Sequence, residues 1–379
     1  MVDAVLLGIS GMRPLPGRGL SSFLIRYEEH VLLFDCGEGT QVNFLKSGVN
    51  LFSIECIFIT HLHADHVLGF PGIISTLMNL KRRKPLKVFG PTGTKETCLN
   101  LLGCFISGGR KIPFDIEFYE YHNSYVELEF SGYVIQCYKV DHTVPCFGYT
   151  FKEIRPSYFD KKKIESVLPE ECWGPLQSGH TVEYNGDVYT RHKVFGPDRQ
   201  GIKITFVTDT RPTSIILRNA ENSDLLVLEG MYVGNGDDGQ KEKNKHMTMI
   251  EAATIAKKAN AEELWLTHFS PTVVVTQELL KVVDGIFPNS VLGKECLRRT
   301  LRHADIIPRI EVRTAFYNRV ISGSANSVFC NAQLIREGMV FKIVEISNNN
   351  SFVKRSVRAT AVSVISENNG SKVLFNLLE

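Results

Sequence analysis

Along the first third of the chain, short runs of consecutive apolar residues alternate with segments of helix-type spacing. AVLLGI, SSFLIRY, VLLFDCG and IECIFITH have the length and apolar density of buried strands, whereas TQVNFLKSG and HVLGFPGIISTLMNLK have helical character. Two pairs of strand-type runs, SSFLIRY with VLLFDCG and VELEF with GYVIQCYKV, are separated only by short turns, so each predicts an antiparallel hairpin. A pure doubly wound parallel sheet is thereby excluded and a mixed sheet expected. CFGYTFKE, IKITFVTDT, SIILRNA, DLLVLEG, a helix over about 247–259, ELWLTH and VTQELLKVV repeat the style in the second half. Two comparable halves predict an α/β (α+β) sandwich, two mixed sheets packed together between outer helices. Past Pro308 the runs VRTAFYNRVI, SVFCNAQLI, MVFKIVEI, SVRATAVSVI and KVLFNLL have no long helix among them, and GSANS, SNNNS and ENNGS break them with the chemistry of hairpin turns. Residues 310–379 are expected to form a small β-rich appendage to a domain spanning 1–308.

Composition changes this picture little. With 379 residues, 43% hydrophobic, 22% charged and a formal net charge of +2, the chain is an ordinary globular one with material for a sizeable core. Net charge does not announce a nucleic-acid binder. Local clusters at Lys81–Lys84, Lys161–Lys163 and Leu297–His303 are either phosphate contacts or solvated faces. Nine cysteines, with no CxxC spacing among them, point to free thiols in a reducing compartment. The N-terminus has no basic n-region, and no run approaches the ~18 apolar residues of a membrane span. A cytoplasmic protein without membrane attachment is expected.

The ends of the apolar runs carry the chemistry. IECIFIT runs into His61, YVIQCYKVD into His142, IKITFVT into Asp209 and ELWLT into His268, while FITHLHADHVLGFPG adds His63, Asp65 and His66 within a few residues. Strand ends converge on one edge of a sheet, and neutral imidazoles with carboxylates are the usual ligands of a catalytic zinc that keeps a position open for water. Seven ligands are too many for one ion. They predict two ions, roughly 3.5–4 Å apart and sharing a carboxylate, an arrangement that activates water and clamps a phosphate or carbonyl oxygen.

HLHADH preceded by LLFDCGEGTQ, together with DHTVPCFGY, VTDTRP and LTHFSP, resembles the metallo-β-lactamase superfamily. Within it, LLFDCGEGTQ, the FPG after HLHADH, DHTVPCFGY and TDTRP are most similar to the ribonuclease Z family of endonucleases, over roughly residues 1–308. The resemblance implies a metallo-β-lactamase-like αββα catalytic domain that removes the 3′ trailer of precursor tRNA and leaves a 3′-OH. It implies one zinc on His61, His63 and His142, a second on Asp65, His66 and His268, and Asp209 bridging them, other divalent ions being possible. The resemblance also implies Asp65 as the general base toward the attacking water. His246, in HMTMIEAATIA, matches the family's proton-donating histidine in part, with methionine in place of serine and Thr248 retained. It is otherwise a surface histidine. At the start of the following helix its pKa is expected to be lowered. Glu229, in LLVLEGMY, orients it or is a plain buried or loop carboxylate. Relatives suggest a homodimer.

Three departures bear on the reading. LLGISGMRPLPGRGLSS keeps Gly8, Gly11, Pro14, Arg18, Ser21 and Ser22 of the family's glycine-rich opening but not its GTG core, and GDT becomes TDT. The arm that clamps tRNA, about 156–200 here, is shortened and less basic, because WGPLQSGHTVEYNG runs straight through. Two other functions therefore stand beside the first: a phosphodiesterase of the same superfamily acting on small or cyclic-nucleotide phosphodiesters, and a non-catalytic RNA-binding protein that retains the fold.

Overall fold

Strands β1 (Val2–Gly8), β2 (Ser22–Tyr27), β3 (His30–Phe34), β4 (Ile54–Phe58), β5 (Leu86–Pro91) and β6 (Ile116–Tyr121) build the first sheet of the protein. The computed structural model describes residues 1–106, 111–157, 164–195, 199–234 and 242–303, and five strands beyond residue 308. A second sheet follows from β7 (Tyr125–Phe130), β8 (Tyr133–Val140) and β9 (Cys146–Glu153). After a separate hairpin of β10 (Val182–Tyr184) and β11 (Asp187–Tyr189), it continues with β12 (Lys203–Val207), β13 (Leu225–Glu229), β14 (Leu264–Thr267) and β15 (Ser290–Leu292). The chain then returns to the first sheet through β16 (Leu297–Leu301).

The sheet orders are β16-β1-β2-β3-β4-β5-β6 and β15-β14-β13-β12-β9-β8-β7. Both are mixed: β1 to β3 and β7 to β9 run antiparallel, while β3 to β6 and β12 to β15 run parallel. The two hairpins expected from short turns are the β2–β3 and β7–β8 pairs. Central strands such as HVLLF and LLVLE are buried almost end to end, as strands covered on both faces must be, while β7 alternates exposed and half-buried positions at the sheet edge. Helices cover the outer faces. In Phe70–Asn79, Pro71 stands in the first turn and Phe70, Ile73, Ile74 and Leu77 form the apolar stripe. Met249–Lys258 starts on a capping box of Thr248 and Glu251 and buries Ala252, Ala253 and Ala256. SIILRNA, strand-like by composition, is the helix Ser214–Ala220, and VTQELLKVV folds as a single-turn 3₁₀ segment with the short helix Lys281–Asp284.

An aromatic stack fills the space between the sheets. Phe34 lies 5.0 Å from Phe58, Phe58 4.9 Å from Phe89, and Phe23 5.2 Å from Phe206, so strands of both sheets are locked in one packed layer. Residues 155–199 leave between β9 and β12, their neck closed by the Arg199 amide donating to the Arg155 carbonyl at 2.9 Å. This arm has its own small core of Ile164, Leu168, Trp173 and Leu176. Lys161–Lys163 lie outside the described residues.

Met1–Leu301 forms one compact unit, closed by the antiparallel pairing of β16 with β1, and Arg302–Glu379 forms another. The second unit is a five-stranded sheet in which β17 (Arg309–Arg313) and β18 (Asn326–Cys330) are the two edges, outside β19 (Val340–Ile346), β20 (Val353–Glu367) and β21 (Gly370–Leu378). SNNNS and ENNGS each connect antiparallel neighbours. GSANS lies mostly outside the described residues; the described strands on either side of it, β17 and β18, stand at opposite edges. Turn chemistry reports that the chain reverses, not which strand becomes the partner. Among the described residues no helix is long and apolar enough to cross a membrane, and seven described cysteines are unpaired.

Candidate metal centre

Four strands hand their following loops to one edge of the sandwich. His61, His63, Asp65 and His66 follow β4, His142 follows β8, Asp209 follows β12 and His268 directly follows β14. Asp209 and His268 leave their strands in the left-handed region, at φ 49° and 53°. For residues with a Cβ that conformation costs roughly 1–2 kcal/mol each. It ends the strand abruptly and turns the side chain over the sheet edge, a strain borne at a functional position.

One ligand atom from each of His61, His63, His142 and Asp209 lies within 4.8 Å of the others, and the same holds for Asp65, His66 and His268. Asp209 stands between the two groups. Its Oδ1 is 3.1 Å from His268 Nε2 and 3.4 Å from His66 Nε2, while Oδ2 is 3.7 Å from His61 Nε2 and 4.0 Å from His142 Nε2. His246 can be grouped with Asp209 and His268 as well, and Glu229 engages its Nδ1 much as Asp35 engages that of His66.

Buried polar atoms test whether this donor set suits a cation. Asp209 Oδ1 and His268 Nδ1 are buried with no hydrogen-bond partner. His66 Nε2 faces His268 Nε2 at 3.2 Å, and His61 Nε2 faces His63 Nδ1 at 2.9 Å. Among the described residues no lysine or arginine pairs with Asp65 or Asp209, whose ion-pair partners are all imidazoles. Converging imidazole nitrogens and carboxylate oxygens, away from water and without a neutralising side chain, fit a divalent cation. Burial pushes the pKa of His61 and His63 down and that of His142 down to about 4, so these rings are held in the neutral form that ligation requires. For Asp209, burial acts upward but is overcome by the imidazoles of His268, His66 and His61, which hold it well below the carboxylate range. Asp65 is likewise lowered: burial raises it, and the hydrogen-bonding His268 and the charges of His66 and His268 outweigh that.

Asp35 completes the site, and the sequence reading assigned it no role. It is fully buried, accepts from the Thr60 amide at 2.8 Å and lies 2.7 Å from His66 Nδ1. The carboxylate thus points His66 Nε2 at the centre and anchors the strand end that launches His61. The available signal was an aspartate ending the apolar run VLLFD, the same placement as the predicted ligands. Asp35→Asn is expected to weaken cation affinity about 10–100-fold, measured by chelator competition; unchanged affinity would show that His66 is oriented by packing alone.

His246 reaches the centre from the loop before the helix Met249–Lys258. Its ring centroid is 5.3 Å from that of His142 and 5.7 Å from that of His268. Nδ1 contacts Glu229 Oε2 at 2.8 Å, and Glu229, buried at the end of β13, also accepts from the Thr210 amide at 2.6 Å. Arg211 of TDTRP donates to the His246 carbonyl at 2.6 Å and pairs with Glu251 of the capping box. The expected lowering of the His246 pKa is reversed. Burial does oppose protonation, but the Glu229 charge and hydrogen bond, aided by Asp209, push it up to about 9. The ring stands ahead of the cap residue Thr248, so the carboxylate at contact distance dominates the helix dipole.

The glycine-rich opening covers the other side. The Met12 amide donates to Asp65 Oδ2 at 2.7 Å, and a Cβ on Gly11 would stand 2.6 Å from the His268 ring, so only glycine lets this loop approach. Arg18 fastens the LTHFSP loop by donating to the carbonyls of Phe269, Ser270 and Val273. Of the basic clusters, Arg82 is structural: buried, it donates to the carbonyls of Phe52, Lys84 and Pro85. Arg299 contacts Glu263 at 3.4 Å and Arg298 donates to the Ser47 carbonyl, so these two belong to the β16 edge.

The model of the metallo-beta-lactamase superfamily matches residues 15–129. Ribonuclease Z of Agathobacter rectalis is 41% identical over 298 residues, which cover 78% of this chain and 96% of that protein. The chain belongs to the ribonuclease Z family. Ribonuclease Z of Lachnoclostridium phytofermentans is also 41% identical, over 302 residues, with the same shares covered. In three dimensions the short form of human tRNase Z superposes with a TM-score of 0.58 at 22% identity, over 79% of this chain and 100% of that one. That likeness concerns the fold, the αββα arrangement described above. Membership of the family makes the chain a metal-dependent hydrolase of the endoribonuclease class.

Proposed function

We infer that the protein is a zinc-dependent endoribonuclease that removes the 3′ trailer from precursor tRNA, leaving a 3′-OH. The observation that carries the reading is the His246–Glu229 pair beside a seven-residue ligand set, in a chain of the ribonuclease Z family. His61, His63 and His142 would hold one zinc and Asp65, His66 and His268 a second, with one Asp209 oxygen directed at each. Bound there, the two cations lower the pKa of water and neutralise charge on the phosphate oxygens. Asp65, held by the Met12 amide, accepts the proton of the attacking water. His246, kept protonated by Glu229, donates a proton to the departing 3′-oxygen. The capping box and Arg211 fix the loop from which it does so. A cytoplasmic location and a homodimer complete the reading.

Incubating the protein with a 3′-extended tRNA and, separately, with bis(p-nitrophenyl) phosphate tests it. Both substrates are expected to be cleaved, both activities to be lost in chelator and restored by zinc, and the RNA product to end in a 3′-OH. Cleavage of the ester alone would leave the small-phosphodiester function instead.

A further inference from the structure

Next to the metal centre, along the same edge of the sandwich, a cavity of about 370 Å³ opens between the two sheets. Its floor and walls are Tyr121, Phe147, Pro91 and Pro145, and Lys139 and His122 stand on its rim. Tyr121 and Phe147 are buried, with ring centroids 5.0 Å apart. None of the lining residues is acidic. The nearby Asp141 is engaged by Lys245 at 2.6 Å, and no described side chain pairs with the Lys139 ammonium.

The slot adjoins the segments that carry the centre. The Phe147 amide donates to the carbonyl of Thr60, the residue before His61, at 2.9 Å, and Pro145 lies on the loop that carries His142. With adjacent strands about 4.8 Å apart, the β6 wall stands roughly 10 Å from the strand that launches His61. That separation suits the nucleotide next to a scissile phosphate rather than the reacting bond itself. An apolar floor with a single cation on the rim matches one base and one phosphate.

We propose that this slot holds the first trailer nucleotide, with Lys139 contacting the phosphate on its 3′ side. The assignment rests on the endoribonuclease reading. The side of the cut follows from His246: the departing 3′-oxygen belongs to the mature tRNA and must face the proton donor. His246 is held by Glu229 at the end of β13, whereas the slot lies at β8 and β9, with the Asp209 strand β12 between them. The acceptor strand therefore lies toward β13 and the trailer toward the slot.

A precursor with a single-nucleotide trailer ending in 3′-OH lacks the phosphate assigned to Lys139, and one with a longer trailer has it. Lys139→Ala is expected to raise KM for the longer trailer about fivefold, and to flatten its log–log salt dependence by about 0.7. On the single-nucleotide trailer the same variant should match wild type, and Lys139→Arg should restore the longer one. An equal loss on both trailers, or none on either, overturns the assignment while leaving the endoribonuclease reading intact. Wild-type protein that hydrolyses bis(p-nitrophenyl) phosphate but neither precursor overturns both.

Discussion

Asp209→Ala is expected to lose measurable hydrolysis of both precursor tRNA and bis(p-nitrophenyl) phosphate, and to lose bound cation from both halves of the centre. Each oxygen of this carboxylate faces a different group of imidazoles, at 3.1 Å and 3.4 Å on one side and 3.7 Å and 4.0 Å on the other. It is also the carboxylate nearest the middle of a set otherwise made of five imidazoles and Asp65. Removing it takes away negative charge that offsets two cations in a buried site, where uncompensated charge is most costly. His63→Ala should also abolish turnover, but its cation loss should concern mainly the site it shares with His61 and His142. Metal content and turnover measured on the same preparation separate the two variants. Full activity in metal-depleted Asp209→Ala protein would end the dinuclear reading.

His246→Ala is expected to lower turnover of precursor tRNA by ~10²–10⁴-fold, the contribution of a positioned general acid, while leaving cation content close to wild type. The loss should shrink on bis(p-nitrophenyl) phosphate, whose leaving group needs little protonation. The pH profile supplies a second readout. An acid works only while it carries its proton, and Glu229 pushes His246 up to about 9, so wild-type turnover of RNA should be sustained through neutral pH and fall as pH rises past that value. In His246→Ala that alkaline fall should disappear. Equal losses on RNA and ester, with the alkaline fall retained, would assign His246 a structural or binding role.

The sequence by itself determined the parts of this protein that follow from local physics. Apolar runs closed by His61, His142, Asp209 and His268 foretold both the strands and the edge on which these four side chains meet, because a strand buried in a sandwich must be apolar and a polar side chain stands where it ends. Turn spacing foretold the β2–β3 and β7–β8 hairpins for the same reason: a short connection leaves only an antiparallel neighbour. Whatever depends on residues distant in the chain came from the tertiary structure. The return of β16 to pair with β1, the place of β17 and β18 at opposite edges, and the partnership of Asp35 with His66 join segments that no local pattern relates. His246 shows the difference most directly. Its position before a helix argued for a lowered pKa, yet Glu229, 2.8 Å away across the fold, raises it, because a carboxylate in contact outweighs the field of a helix whose first turn begins farther along the chain.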